Sequence, residues 1–408
     1  MEEEVKQLIK NHNIFKDEKN AVWIMYNSEN RDPYFSKFVT DKTIVTSIAV
    51  LSNEKNFLIA HELDCSNIKD FNGEVLVYSG ENFLIENVCE ILKKLGYPEK
   101  IFLNYSDKLD IQTDVLGYGA FRFLHDNISK YYCSKNISPP DFQSADEIIY
   151  SLMDVKSDED IKYLQIAAQR ALEILNAAFK RIRIGMTEKQ IANIVHQIFQ
   201  NKPQYFKIHG IIKEEFSWER DFCPVVLVGP NLKKGGHSCA GDEKLKYGQT
   251  VYFDFGVKIF LTDGRKYSSD IQRMGYALRP GEFKIPESVQ NVFETLVEAI
   301  ELGIKNLKPS KKGYEIDEVV RNHITAKGYP NYNHATGHPV GELAHSPGTS
   351  ISPKGYKRSS LFLQENGVYT IEPRIQIDNG GSIEEMVRVT KNGGATLCPP
   401  QKKLYLIK

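Results

Sequence analysis

The apolar positions follow two different rhythms along the 408 residues. In the first part, short apolar runs alternate with polar punctuation. Val22-Trp23-Ile24-Met25-Tyr26 and residues 43–50, 57–60, 74–78 and 101–104 are rich in β-branched and aromatic side chains and bounded by turn residues, so each predicts a strand. Residues 83–95 recur at helical spacing and stop at Gly96 and Pro98, which predicts a helix with a glycine cap. Together these predict a small α/β domain. Ser138-Pro139-Pro140-Asp141 and the polar residues up to Asp146 read as a linker. That places a boundary near residue 150 and divides the chain into 1–150 and 151–408.

The second part opens on helices. Ser157 and Asp160 form a capping-box pattern, and apolar residues then recur at Ile161, Leu164, Ala168, Ala171, Leu172, Leu175 and Phe179. Thr187 with Gln190 starts a second helix, and residues 289–307 and 314–324 predict two more. Residues 250–255, 368–371 and 383–389 predict strands. The second domain therefore reads as α+β.

Composition narrows the function classes. Apolar residues make up 41% and charged residues 26%, an ordinary globular balance that argues against a disordered or fibrous chain. A net charge of −1 supplies no basic excess for nucleic acid. Met1-Glu2-Glu3-Glu4 lacks the basic start of a signal peptide, and no apolar run reaches the roughly twenty residues of a membrane span. The six cysteines contain no CxxC pair and are scattered, which suits free thiols in the cytoplasm. HExxH is absent, and Gly229 to Gly235 lacks the Lys-Ser/Thr ending of a phosphate loop.

Four acidic residues stand where apolar side chains are expected. Asp254 interrupts Val251-Tyr252-Phe253-Asp254-Phe255-Gly256. Asp270 lies in Ser269-Asp270-Ile271, Glu372 in Thr370-Ile371-Glu372-Pro373, and Glu384 in Ser382-Ile383-Glu384-Glu385. Burying a lone carboxylate is costly unless it is paired or binds a metal. A histidine-rich stretch, His334-Ala335-Thr336-Gly337-His338-Pro339-Val340-Gly341 and then His345, lies among them. Each residue alone is more often a surface or hydrogen-bonded group; the set and its order carry the signal.

The order Asp, Asp, His, Glu, Glu resembles the pita-bread metallopeptidases, in the creatinase, aminopeptidase P and prolidase branch. The first Asp with Gly256, Ser269-Asp270-Ile271-Gln272-Arg273, Gly337-His338-Pro339-Val340-Gly341, Glu372-Pro373 and Ile383-Glu384-Glu385 match its motifs in sequence order. The resemblance implies a creatinase-like N-terminal α/β domain before a pita-bread catalytic domain. It implies two divalent ions held by Asp254, Asp270, His338, Glu372 and Glu384, with Asp270 and Glu384 shared between them and a bridging hydroxide as nucleophile. An oxygen-rich set of this kind suits Mn²⁺, Co²⁺ or Fe²⁺, and Zn²⁺ also fits. Glu372 would carry the proton to the leaving amine, with His237 and His345 at the oxyanion or the peptide. His334 and Trp218 are further candidates. The implied substrate is a short peptide with proline in second position, cut by an Xaa-Pro aminopeptidase or dipeptidase, and the implied assembly is a homodimer.

The chain also departs from that pattern. Leu261-Thr262-Asp263-Gly264-Arg265 reads as an inserted hairpin turn that makes Asp263 a rival to Asp270. Ser382 stands where such enzymes often carry an arginine, and Arg374 where they carry a glycine. Two rival readings follow: a family member acting on another small amide, and a binding module on the same fold.

Overall fold

A computed structural model describes residues 20–69, 71–107, 110–201, 203, 205–219, 222–233 and 238–408. The chain divides into two compact units between Leu152 and Met153.

The N-terminal unit is built on one six-stranded sheet. Its strands are β1 (Ala21–Asn27), β2 (Ser47–Leu51), β3 (Phe57–His61), β4 (Glu74–Tyr78), β5 (Lys100–Leu103) and β6 (Asp141–Ser144), in the order β4-β3-β2-β1-β5-β6. Helices α1 (Pro33–Phe38), α2 (Glu81–Lys94) and α3 (Tyr118–Ser134) join them, and α4 (Asp146–Asp154) runs across the division between the units. Val22, Ile24, Ile48, Val50 and Ile59 of the strands pack with Ile91 of α2 and Ile128 of α3.

Two sequence expectations need correction here. Residues 141–144 are not linker: β6 pairs in parallel with β5, Leu103 opposite Ser144. An edge strand needs only one ladder, so it tolerates polar residues and a preceding Pro139-Pro140. The strand expected over 43–50 begins only at Ser47, because the Ile44 and Val45 N–H groups both donate to Asp64 Oδ2, at 2.9 and 2.8 Å.

In the C-terminal unit, α5 (Asp158–Phe179) and α6 (Glu188–Phe199) each start on a capping box, at Ser157 with Asp160 and at Thr187 with Gln190. A short α7 (Tyr205–Ile208) follows, then β7 (Ile211–Phe216) and β8 (Val225–Val228). β9 (Thr250–Phe255), β10 (Val257–Leu261), β11 (Lys266–Ser268) and β12 (Ile271–Ala277) come next. After α8 (Glu287–Asn306) and α9 (Gly313–Ala326) come β13 (Val368–Ile371), β14 (Arg374–Ile375), β15 (Gly381–Ser382), β16 (Glu385–Thr390), β17 (Gly393–Thr396) and β18 (Tyr405–Ile407).

These strands form sheets ordered β18-β12-β9-β8, β11-β10-β7 and β13-β16-β17, plus the ribbon β14-β15. One apolar core gathers α5 and α6 with β8, β9 and β12; a second gathers α8 and α9 with β13 and β16. The inserted segment is the β10–β11 hairpin, turned at Gly264 with φ +88°. It leaves β9 and β12 antiparallel, with Gln272 opposite Asp254. Asp263 sits at its exposed tip, bound to Arg265 Nη2 at 2.7 Å.

Candidate metal centre

Five separate backbone segments deliver the acidic and imidazole groups. Asp254 projects from β9 and Asp270 immediately precedes β12, the two strands being register partners. Glu372 follows the last residue of β13, where its N–H donates to the Thr336 carbonyl at 2.8 Å. Glu384 precedes β16 and bridges to Gln272 of β12. His338 lies on a loop tied by bridges from Gly337 to Ile351 and from Pro339 to Tyr369. Two glycines make this packing available: a Cβ on Gly256 would lie 2.0 Å from the Ser269 carbonyl oxygen, and one on Gly337 would lie 2.0 Å from that of Thr370.

The side chains converge. His338 Nε2 lies 3.5 Å from Glu372 Oε1, 3.7 Å from Asp270 Oδ2 and 3.9 Å from Glu384 Oε1. Ligand atoms within 4.8 Å of one another form the groups Asp254, Asp270, Glu384; His338, Glu372, Glu384; and Asp270, His338, His345. Glu384 belongs to two of these groups, and so does Asp270. Both Glu384 oxygens and Asp270 Oδ1 are buried without a protein hydrogen-bond donor. Buried carboxylate oxygens with no donor fit divalent cations, which supply what the protein does not.

The cluster lies at a cavity of about 760 Å³ that Trp218, Phe222, His334, His345 and Arg374 help to line. A volume of this order accommodates a small ligand.

Residues 162–391 match the model of metallopeptidase family M24. The chain belongs to that family. It is 27% identical over 380 residues to the uncharacterized peptidase YqhT of Bacillus subtilis (strain 168), covering 91% of this chain and 93% of that one. It is 27% identical over 273 residues to the Xaa-Pro dipeptidase of Pyrococcus horikoshii, covering 66% and 70%. Among solved structures, the Xaa-Pro dipeptidase from Bacillus anthracis shares the fold with a TM-score of 0.65, at 22% identity over 100% of both chains. The X-Pro aminopeptidase from Thermotoga maritima MSB8 does so at 0.63 and 22%, over 96% of this chain and 99% of that one. The protein is thus an M24 metallopeptidase with the pita-bread fold and its N-terminal domain.

Electrostatics mark the same place in this M24 peptidase. Burial first, then the Asp254 charge, push the Glu372 carboxyl up to about 8. Burial, and next each other or a neighbouring acid, push Asp270 and Glu384 well above the ordinary carboxylate range. Burial, then His345, hold the His338 imidazole well below its usual value, so its short approaches to carboxylates are those of a neutral ring. Nδ1 points to the Pro339 carbonyl at 3.4 Å, which can only accept. That assigns the proton to Nδ1 and leaves the Nε2 lone pair facing the acids, as a metal ligand requires.

A pH dependence follows for the metal-free protein. Carboxyls with raised folded-state values bind more protons folded than unfolded, so stability declines as pH rises from the ordinary carboxylate range toward the folded value. His338, held neutral, acts oppositely but only below the ordinary imidazole value of 6.5. Between pH 6.5 and 8 the carboxylates dominate. The melting midpoint of metal-free protein is expected to fall by about 2–4 °C over that interval, a loss of about 2 kcal/mol. Saturating Mn²⁺ should remove the slope. Thermal melts with and without chelator check this, and a rising metal-free midpoint would contradict it.

Around the cluster stands a layer that sequence reasoning named without assigning a role. Gln272 Nε2 donates to Glu372 Oε2 at 2.9 Å and approaches Asp254 Oδ2 at 3.4 Å. The amide nitrogen is the donor to both acids, which turns the Gln272 carbonyl oxygen away from them. Tyr252 donates to Asp254 Oδ2 at 3.2 Å. Arg273, fully buried, pairs with Glu385 Oε2 at 3.0 Å and donates from Nη1 to the Glu384 carbonyl at 2.8 Å. Burial raises the Glu385 carboxyl while Arg273 and the Gln401 N–H hold it back. The geometry is that of an ion pair, because a guanidinium keeps its proton.

The candidate histidines separate. His345 is exposed and its ring lies 4.2 Å from that of His338. His334 lines the cavity, with Nδ1 on the Ala335 carbonyl at 2.7 Å and Nε2 buried without a donor. Trp218 also lines it, its Nε1 donating to Phe222. His237 lies outside the described residues.

Proposed function

We propose that Asp254, Asp270, His338, Glu372 and Glu384 hold two divalent ions, and that the protein hydrolyses short peptides with proline in second position. The observation that carries the metal assignment is the set of buried, donor-less oxygens on Asp270 and Glu384 within reach of the other ligand atoms. Glu384, Asp270 and His338 each belong to two ligand groups, and of these only the carboxylates have two oxygens to offer, which supports sharing of Glu384 and Asp270 between two ions. Four carboxylates and one neutral imidazole favour Mn²⁺, Co²⁺ or Fe²⁺ over thiophilic ions. When bound, such ions polarise a carbonyl and bring the pKa of water toward neutrality.

The chain's own groups do the rest. Glu372 Oε2, oriented by Gln272 Nε2, takes up a proton and returns it to the leaving nitrogen. His345, exposed beside His338, donates to the carbonyl oxygen as it gains charge. His237 has the same role by sequence position. Trp218, Phe222 and Tyr252 supply an apolar wall against which a pyrrolidine ring can pack.

The Xaa-Pro preference rests on M24 membership and on the relative named Xaa-Pro dipeptidase. Among the described residues no helix is long and apolar enough to cross a membrane. The cysteines are free thiols, which supports a reducing cytoplasmic location. A homodimer is proposed by family resemblance alone.

The test is hydrolysis of Xaa-Pro dipeptides, Xaa-Pro-Xaa tripeptides and Xaa-Ala controls by Mn²⁺-loaded protein. Cleavage of a prolyl substrate at least about tenfold faster than the alanyl control is expected, a difference of about 1.4 kcal/mol. Bound metal without prolyl cleavage would favour the reading as a hydrolase of another small amide. Absence of metal binding would favour a binding module.

A further inference from the structure

The cavity wall carries a buried cation that forms no ion pair among the described residues, although its charge is felt by Glu372. Arg374 is 4% exposed and starts β14, two residues after Glu372. Three arginines are buried among the described residues. Arg170 pairs with Glu214 at 3.1 Å and Arg273 with Glu385 at 3.0 Å. Arg374 has no carboxylate at ion-pair distance among the described residues. Its Nη2 donates to the Leu232 carbonyl at 3.1 Å, and Nε is buried with no acceptor. Its guanidinium lies over the Tyr252 ring, 5.3 Å from the centroid. Across the ribbon, the facing residue is Ser382, whose hydroxyl is spent on the Pro373 carbonyl at 2.8 Å.

A guanidinium cannot discharge by losing its proton, so a buried one needs an anion. The neighbouring acid cluster offers diffuse compensation only while it is uncompensated itself. Two divalent cations would cancel the charge of Asp254, Asp270, Glu372 and Glu384, and the Arg374 charge would then stand alone on the cavity wall. The planar fork of donors matches a carboxylate.

We infer that Arg374 binds a carboxylate of the substrate. The free C-terminus of a dipeptide, one residue beyond the scissile bond, has the required chemistry and reach. The inference rests on the peptidase reading above for the identity of that carboxylate, and it makes Arg374 a specificity residue that favours dipeptides over longer or amidated peptides.

The experiment compares L-proline with L-prolinamide as ligands of the metal-loaded protein, by calorimetric titration, in wild type and Arg374→Gln. Metal content is measured in both. Wild type is expected to bind the acid at least about tenfold more tightly than the amide. Arg374→Gln should lose roughly 10- to 100-fold of affinity for the acid, as for a charge-assisted pair. Its amide affinity and metal content should be unchanged, and in turnover KM for a free dipeptide should rise more than kcat falls. Arg374→Met, which keeps the stem against Tyr252, gives the same reading if the glutamine variant fails to fold. A wild type indifferent to acid or amide overturns the inference, and so does a variant that keeps the preference, since the ions alone would then hold the carboxylate. An Arg374-dependent preference in a protein that cleaves no prolyl peptide would uphold this inference while sinking the Xaa-Pro reading. Prolyl cleavage independent of Arg374 would do the reverse.

Discussion

Glu384→Gln is expected to leave at most one metal ion per chain and to lower kcat/KM for a prolyl dipeptide by at least about 10³-fold, some 4 kcal/mol of transition-state stabilisation. Glu384 is fully buried and shared between two ligand groups. A glutamine there keeps the volume and loses the charge, so the loss reads coordination rather than packing. The same substitution should act in the opposite direction on the metal-free protein. Burial, then the charges of Asp270, Glu372 and Asp254, disfavour ionised Glu384. Removing one of these carboxylates relieves repulsion, and the metal-free midpoint should rise by about 5 °C at pH 8. Metal analysis, steady-state kinetics and melts on one preparation report both directions. Unchanged metal content would remove Glu384 from the centre, and a lower metal-free midpoint would mean that the cluster is not strained by charge.

Glu372→Gln probes the proton rather than the ions. Its amide oxygen can still face a cation, but it can no longer accept and return a proton. With saturating Mn²⁺, kcat should fall by about 10²- to 10⁴-fold while KM stays within about threefold. The pattern differs from ligand loss, which should be partly recovered by raising the metal concentration. A kcat within about tenfold of wild type would pass the proton role to another group, with His345 beside His338 the first to examine.

What could be read from the sequence follows from which forces are local. Caps and periodicity are local, so the starts of α5 and α6 at Ser157 and Thr187 were legible, as was the apolar face of each helix. Asp254 and Glu384 were legible as anomalies, since an acid in an apolar strand has few explanations. Their convergence is implied by the family order of residues, not by spacing: Asp254 and Glu384 meet only because Gln272 of β12 pairs with Asp254 on one side and bridges Glu384 on the other.

The supporting layer was not legible for the same reason. Arg273 and Glu385 stand in recognisable motifs, but nothing in either says that one holds the other at 3.0 Å or that Arg273 also fixes the Glu384 carbonyl. Residues 138–146 misled because proline and polar composition report local stiffness and exposure, whereas β6 is made by its partner β5. In the sequence Arg374 reads only as a departure from the family pattern. Its burial depends on Tyr252, Leu232 and the β15 rung, which come from distant stretches of chain.

The central claim is a two-metal centre on these five residues, and metal stoichiometry tests it most directly. Purified protein would be stripped with chelator, reloaded with Mn²⁺, freed of excess ion and analysed by mass spectrometry for metal per chain. Two ions in wild type, two in His345→Ala and no more than one in Glu384→Gln are the predicted values. A wild type that retains none, or a Glu384→Gln variant that retains both, would contradict the account.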